Sequence, residues 1–155
     1  MKGNEKIIEQ LNMRLAEELT AVNQYMVHAE MCDNWKYKRL DETIQKRAIA
    51  EMKHAEKLIA RILFLKGRPI VSNLNKIFIG AEVPKMHEYD YGAEEVAIRG
   101  YNETIRLAVE VGDNNTKVLI ESILKEEEDH IDWIEGQLDQ IKQMGVENYL
   151  GEQIY

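Results

Sequence analysis

Four glutamates in this chain stand where apolar side chains belong. Read at spacings of three and four, one stretch gives Ile8, Leu11, Leu15, Glu18, Val22, Tyr25, Ala29 and Cys32, and a second gives Ile44, Ala48, Glu51, Ala55, Leu58, Ile62 and Leu65. A third gives Tyr91, Glu94, Ile98, Tyr101, Ile105 and Ala108, and a fourth gives Ile120, Leu124, Glu127, Ile131, Ile134, Leu138 and Ile141. The period is that of a helix burying one face, and each row is interrupted by a single carboxylate. His54 follows Glu51 by three residues and His130 follows Glu127 by three. Residues three apart share a helical face, so each pair can ligate one ion from one helix. The chemistry these residue types can do together is metal binding.

The spacings repeat. Glu18 to Glu94, Glu51 to Glu127, His54 to His130 and Tyr25 to Tyr101 are all separated by 76 residues. The second row maps onto the fourth at the same offset, Ile44 on Ile120, Leu58 on Ile134, Ile62 on Leu138 and Leu65 on Ile141. The chain is an internal two-fold repeat of helix pairs. Glutamate makes up 21 of the 155 residues, so one Glu-x-x-His pair could arise by chance, and most glutamates, Glu5, Glu103 and Glu135 among them, belong on solvated faces. Four interrupted rows, two histidines and one common offset together are a stronger signal than any single motif.

The energetics point the same way. A lone ionised carboxylate in a dry core costs several kcal/mol or takes up a proton, and four together also repel. Two divalent cations remove the conflict, because four carboxylates (−4), two neutral imidazoles (0) and two dications (+4) sum to zero. Mixed carboxylate and imidazole ligands suit iron or manganese better than calcium. The single cysteine, Cys32, excludes a thiolate cage. A Glu from each of two helices plus Glu-x-x-His from each of the other two is the di-iron carboxylate arrangement of helix bundles.

The elements that must position these ligands are legible from the breakers. Gly67 and Pro69, Gly80 and Pro84, Gly112 with Asp113, and Gly145 divide the chain. They predict helices from about Asn4 to Asn34, Leu40 to Lys66, Pro84 to Gly112 and Asn115 to Met144, with one more short helix in the tail, Val146–Tyr155. A length of 155 residues suits one domain, 1–155. The class expected is all-α, a four-helix bundle. The link from Gly67 to Val83 can span about 50 Å at ~3.3 Å per residue, against about 42 Å for a 28-residue helix. It can therefore run the length of the bundle and leave helices two and three parallel. A net charge of −8 argues against a nucleic-acid partner. No apolar run reaches the ~18 residues of a membrane span, and MKGNEKIIEQ lacks the apolar core of a secretory signal. The expectation is a soluble, cytoplasmic protein.

A second feature lies off the core. Met52 is rotated about 100° from Glu51, on a row with Ile49, Ile59 and Leu63, flanked by Leu19, Asn23 and Met26. The residue 76 beyond Met52 is Glu128, so this apolar patch exists on the first helix pair only. Such a patch suggests a partner surface, and a two-fold axis through it would bring two Met52 side chains together. By spacing alone a methionine there is packing. His28 and His87 lack a Glu three residues before them, which leaves them surface or packing roles, and Cys32 reads as a small buried residue.

The segments MKGNEKIIEQLN, AVNQYMVHAEM, AEMKHAEKLIARILFLKGRP, EEEDHIDWIE and MGVENYLGEQI resemble the bacterioferritins, the haem-containing branch of the ferritin superfamily, over nearly the whole chain. The resemblance implies a ferritin-like fold and a ferroxidase centre within the subunit, oxidising Fe²⁺ with O₂ or peroxide. Glu51 and Glu127 would bridge two irons, while Glu18 with His54 and Glu94 with His130 would each complete one. Tyr25 and Tyr101, one heptad beyond Glu18 and Glu94, could hydrogen-bond to those carboxylates or simply pack. The resemblance further implies haem b shared at a dimer two-fold with Met52 as ligand, a hollow homo-oligomeric shell of 24 subunits storing ferric mineral, and a ferredoxin-like electron donor for iron release. Two positions depart from some members, Lys46 and Ala50 replacing a His and an acid of an inner-wall iron site, and Gln45 stands where an aromatic residue often borders the haem. A rubrerythrin-like di-metal peroxidase without iron storage is the alternative, although such proteins usually carry a Cys-rich domain that this chain lacks. A structural cage without iron chemistry is the third reading, and an intact ligand set weighs against it.

Overall fold

Asn4 opens the first helix by accepting hydrogen bonds from the backbone N–H groups of Lys6 and Ile7, which satisfies donors that a helix start leaves free. In the computed structural model, which describes residues 1–155, five helices follow: α1 (Glu5–Asn34), α2 (Lys38–Phe64), α3 (Val83–Val111), α4 (Asn114–Met144) and α5 (Val146–Gly151). Pro84 sits in the first turn of α3, where its missing N–H costs nothing. Gly112 ends α3 at φ 73°, a left-handed conformation that favours glycine. Asp113 then caps α4 by accepting from Thr116 N–H. The boundaries of α1 to α4 lie within two residues of those expected, while α5 stops at Gly151, four residues short of the expected tail segment.

Side-chain pairings give the topology. Arg14 meets Thr104, Glu18 meets Tyr101 and Gln24 meets Asp90, so partners on α3 fall in number as those on α1 rise. The two helices are antiparallel. Arg61 with Asp113 and Glu51 with His130 make α2 and α4 antiparallel in the same way. With a tight turn between α1 and α2, α2 and α3 are parallel, as the long link requires.

That link, residues 65–82, has no regular structure of its own and is stitched to α1 instead. Ile70 N–H donates to Asn12 Oδ1 at 2.8 Å, Asn75 N–H to Thr20 Oγ1 at 2.8 Å, Phe78 N–H to Gln24 Oε1 at 3.1 Å and Gly80 N–H to His28 Nε2 at 3.0 Å. One polar face of α1 thus supplies acceptors to backbone groups that lack a ladder partner.

Two apolar clusters fill the bundle. One gathers Leu11, Leu15, Leu58, Ile62, Tyr101 and Ile120 with their neighbours, and the other gathers Tyr25, Cys32, Leu40, Ile44, Met86 and Tyr149 with theirs. Along α1 the buried residues include Ile7 and Ala21, whereas Ile8 and Val22 are half-buried. Packing against both α2 and α3 shifts and widens the α1 stripe beyond a single heptad row. At the far end, α5 brings Tyr149 into the core. Its hydroxyl donates to Gln137 Oε1 at 2.6 Å and lies 3.0 Å from His87 Nε2. Burial and the charge of Arg47 lower His87 to about 4, so it is a neutral packing residue. No helix is long and apolar enough to cross a membrane.

Candidate metal centre

Between the two apolar clusters lies a polar layer. Helix α1 contributes Glu18, α2 contributes Glu51 and His54, α3 contributes Glu94, and α4 contributes Glu127 and His130. The four carboxylates and His54 are buried, and the His130 side chain is 19% exposed. Their ligand atoms form two groups of four, Glu18–Glu51–His54–Glu127 and Glu51–Glu94–Glu127–His130, each with one atom per residue within 4.8 Å of the others. Glu51 and Glu127 belong to both. His54 Nδ1 lies 2.8 Å from Glu127, 3.4 Å from Glu51 and 3.5 Å from Glu18. His130 Nδ1 lies 2.9 Å from Glu51, 3.6 Å from Glu94 and 3.8 Å from Glu127.

The layer is not a satisfied hydrogen-bond network. Glu18 Oε2, Glu94 Oε2, Glu127 Oε1 and His54 Nδ1 are buried without a hydrogen-bond partner. Unpartnered buried polar atoms converging on one volume are rare in a native core, and they suit a cation-binding site. Oxygen and imidazole donors in this ratio fit iron or manganese.

Electrostatics confirm how crowded the layer is. Burial, then the charges of Glu51 and Glu127, raise Glu18 and Glu94 well above the usual carboxylate range. Burial also works against charge on both imidazoles. The surrounding carboxylates outweigh it, raising His54 strongly and His130 to about 11. Burial opposes the charge of Glu127 too, yet the neighbouring Glu94, His130, His54 and Glu51 side chains hold it well below the ordinary value.

Two buried tyrosines brace the outer carboxylates. Tyr25 hydroxyl donates to Glu94 Oε1 at 2.7 Å, and Tyr101 hydroxyl donates to Glu18 Oε1. The repeat mates thus hold repeat mates. Beyond Tyr25, fully buried Asp90 accepts from Gln24 Nε2 at 2.9 Å and Arg47 Nη2 at 2.7 Å, and pairs with His28 Nδ1 at 2.8 Å. Burial opposes the charge of Asp90, but His28 and Arg47 keep it lowered. At the symmetry-related end Arg14 takes the place of Asp90, lies over Gly100 and donates to Glu17 at 3.0 Å. Glu17 is pushed up to about 7, chiefly by burial.

Heptad reading does not pick out Asp90, Arg47 or Glu17, since nothing in a lone charged residue distinguishes burial from solvation. Met52 stands 45% exposed on α2, with Ile49, Leu63 and Met26 also exposed and Leu19, Asn23 and Ile59 half-buried. Lys46 is exposed and Ala50 half-buried, so neither adds a ligand beside His130, and Gln45 is exposed.

The pattern of the ferritin-like domain matches residues 8–144. A bacterioferritin of Brucella melitensis is 40% identical over 96% of this chain and 92% of that protein. The chain belongs to the bacterioferritin family. Bacterioferritins of Rhodobacter capsulatus and Mycolicibacterium paratuberculosis are each 38% identical over 96% of the chain, covering 92% and 94% of those proteins. Family membership and the carboxylate–histidine layer together support iron binding, and the family supports iron storage.

Proposed function

We propose that this bacterioferritin takes up Fe²⁺ as substrate, oxidises it with O₂ or peroxide at the buried layer, and stores the ferric product inside a homo-oligomeric shell of 24 subunits. The carrying observation is the pair of four-residue groups that share Glu51 and Glu127. In this reading Glu51 and Glu127 are common to both ions, Glu18 with His54 completes one site and Glu94 with His130 the other. A bound iron pair supplies the two electrons the oxidant accepts.

The chain's own residues prepare that step. Tyr25 and Tyr101 each occupy one oxygen of Glu94 and Glu18, so each carboxylate is fixed in rotation with its second oxygen left free. The apolar clusters on either side exclude water and keep the charges strongly coupled. Glu18, Glu94 and the two imidazoles hold protons that leave as cations arrive.

The apolar patch around Met52 supports a two-fold subunit contact, at which Met52 from each subunit would hold a shared haem b. The haem would carry electrons for iron release from a ferredoxin-like donor. Residence in the cytoplasm follows the same reading.

The test is stopped-flow Fe²⁺ oxidation by the unmodified protein and by Glu18→Ala and Glu127→Ala, with light scattering for size. Fast oxidation lost in both variants, in a particle of about 24 chains, is the expected result. Unchanged rates in both variants exclude the centre, and a small oligomer excludes storage and favours the rubrerythrin-like alternative.

A further inference from the structure

We propose that Glu126 makes the two halves of the metal centre unequal, so that the Glu18–His54 half takes the first ion tightly and the Glu94–His130 half takes and releases the second. This rests on the metal-centre reading above.

The observation is a break in the repeat. His54 Nδ1 faces the buried carboxylates, while Nε2 of the same ring lies 2.5 Å from Glu126 Oε2 on α4. A carboxylate at that distance accepts the Nε2–H. The proton is thereby fixed on the outer nitrogen, the inner nitrogen is left as the metal donor, and the ring cannot turn. Subtracting the repeat of 76 from Glu126 gives Ala50. The equivalent place beside His130 therefore carries a methyl group where His54 has an acceptor. His130 makes its one hydrogen-bond contact inward, through Nδ1 to Glu51, and its Nε2 has no protein partner.

Exposure follows the same asymmetry, 1% for the His54 side chain against 19% for His130. His130 also borders a surface cavity of about 280 Å³ with Thr43, Lys46, Arg47, Asp129 and Trp133. One imidazole is clamped and dry, and the other is free on its outer edge and open to solvent.

Glu126 itself is 48% exposed, so solvent screens its charge. It acts by accepting a hydrogen bond, and a neutral acceptor can replace it. Loss of such an outer partner typically lowers metal affinity about 10–100-fold. Glu126 is thus a positioning residue whose effect appears as order of loading.

The experiment uses Co²⁺ and the intact assembly. Visible spectra follow the titration, and anomalous diffraction from crystals grown with one equivalent per chain locates the ion. The expected result is two binding steps about 10–100-fold apart, with the first ion between Glu18 and His54. Glu126→Ala should merge the steps and spread one equivalent over both halves, while Glu126→Gln, which keeps an acceptor, should retain the order. Equal occupancy in the unmodified protein, or unequal occupancy that survives Glu126→Ala, overturns the assignment while leaving the dimetal centre standing. Ions in neither half at excess Co²⁺ remove the centre and this proposal with it.

Discussion

Filling the centre with divalent ions should expel protons, and the six ligands fix the number. In the metal-free layer Glu18 and Glu94 are raised well above the carboxylate range by burial and by the charges of Glu51 and Glu127. His54 and His130 are held protonated by the surrounding carboxylates, His130 up to about 11. Two imidazolium charges thus face the two charges of Glu51 and Glu127. With two dications bound, the ligands present four carboxylates and two neutral imidazoles. Both states are neutral, and they differ by the protons of Glu18, Glu94, His54 and His130, two for each ion.

The apparent affinity for each ion should therefore climb about 100-fold per pH unit near neutrality. Stability carries the matching sign. The raised folded-state value of His130 stabilises the metal-free protein fully below its unfolded value of 6.5, and that contribution fades as pH rises toward about 11. Metal should stabilise the fold most strongly toward the alkaline end of that window. The assay is anaerobic addition of Zn²⁺ or Co²⁺ to weakly buffered protein between pH 6 and 7 in a pH-stat. Fewer than one proton released per ion would refute the reasoning, because it would mean open carboxylates and neutral imidazoles before any metal arrived.

Other outcomes follow from the surrounding contacts. Asp90→Ala strands the buried Arg47 guanidinium without its acid and should cost about 3–5 kcal/mol, read by chemical denaturation, with Asp90→Asn costing less. Tyr101→Phe and Tyr25→Phe each free one ligand carboxylate and should weaken metal binding about 10–100-fold with helix content unchanged by circular dichroism. A Cβ at Gly80 would lie 2.4 Å from Met86 N, so Gly80→Ala must displace backbone. The expected cost is about 1–3 kcal/mol, together with faster proteolysis in residues 65–82. Met52→Leu should assemble normally and lose the haem absorption band, and a retained band would move the haem elsewhere.

Periodicity and punctuation revealed much of this architecture in advance. A glutamate inside an apolar row is conspicuous because burial demands an explanation, and four such anomalies, joined by two histidines at the same offset, fall into one layer of the bundle. The long link announced the parallel arrangement of α2 and α3 because its reach exceeds a helix length. Asp90, Arg47 and His28 were silent for the opposite reason. Each is polar, each could be solvated, and only contacts between residues 43 to 66 positions apart show that they bury one another. Glu126 sits among three consecutive glutamates, and only the geometry separates the one that grips His54 from its neighbours. The ladder from α1 to the link was hidden too, since its donors are backbone groups common to every residue.

The inverted charge at the two ends of the repeat determines which halves can join. If two α1–α2 hairpins paired with each other, the position of Asp90 would be filled by Arg14, whose own acid is Glu17, and Arg47 and His28 would have no acid left to meet. If two α3–α4 hairpins paired, Asp90 would face Gly100, Thr104 and Ile123, with no cation to meet it. Only unlike hairpins balance. A fold that looks like a self-complementary duplicate has become an obligate couple, and its two segments, made as separate peptides, would choose each other over themselves.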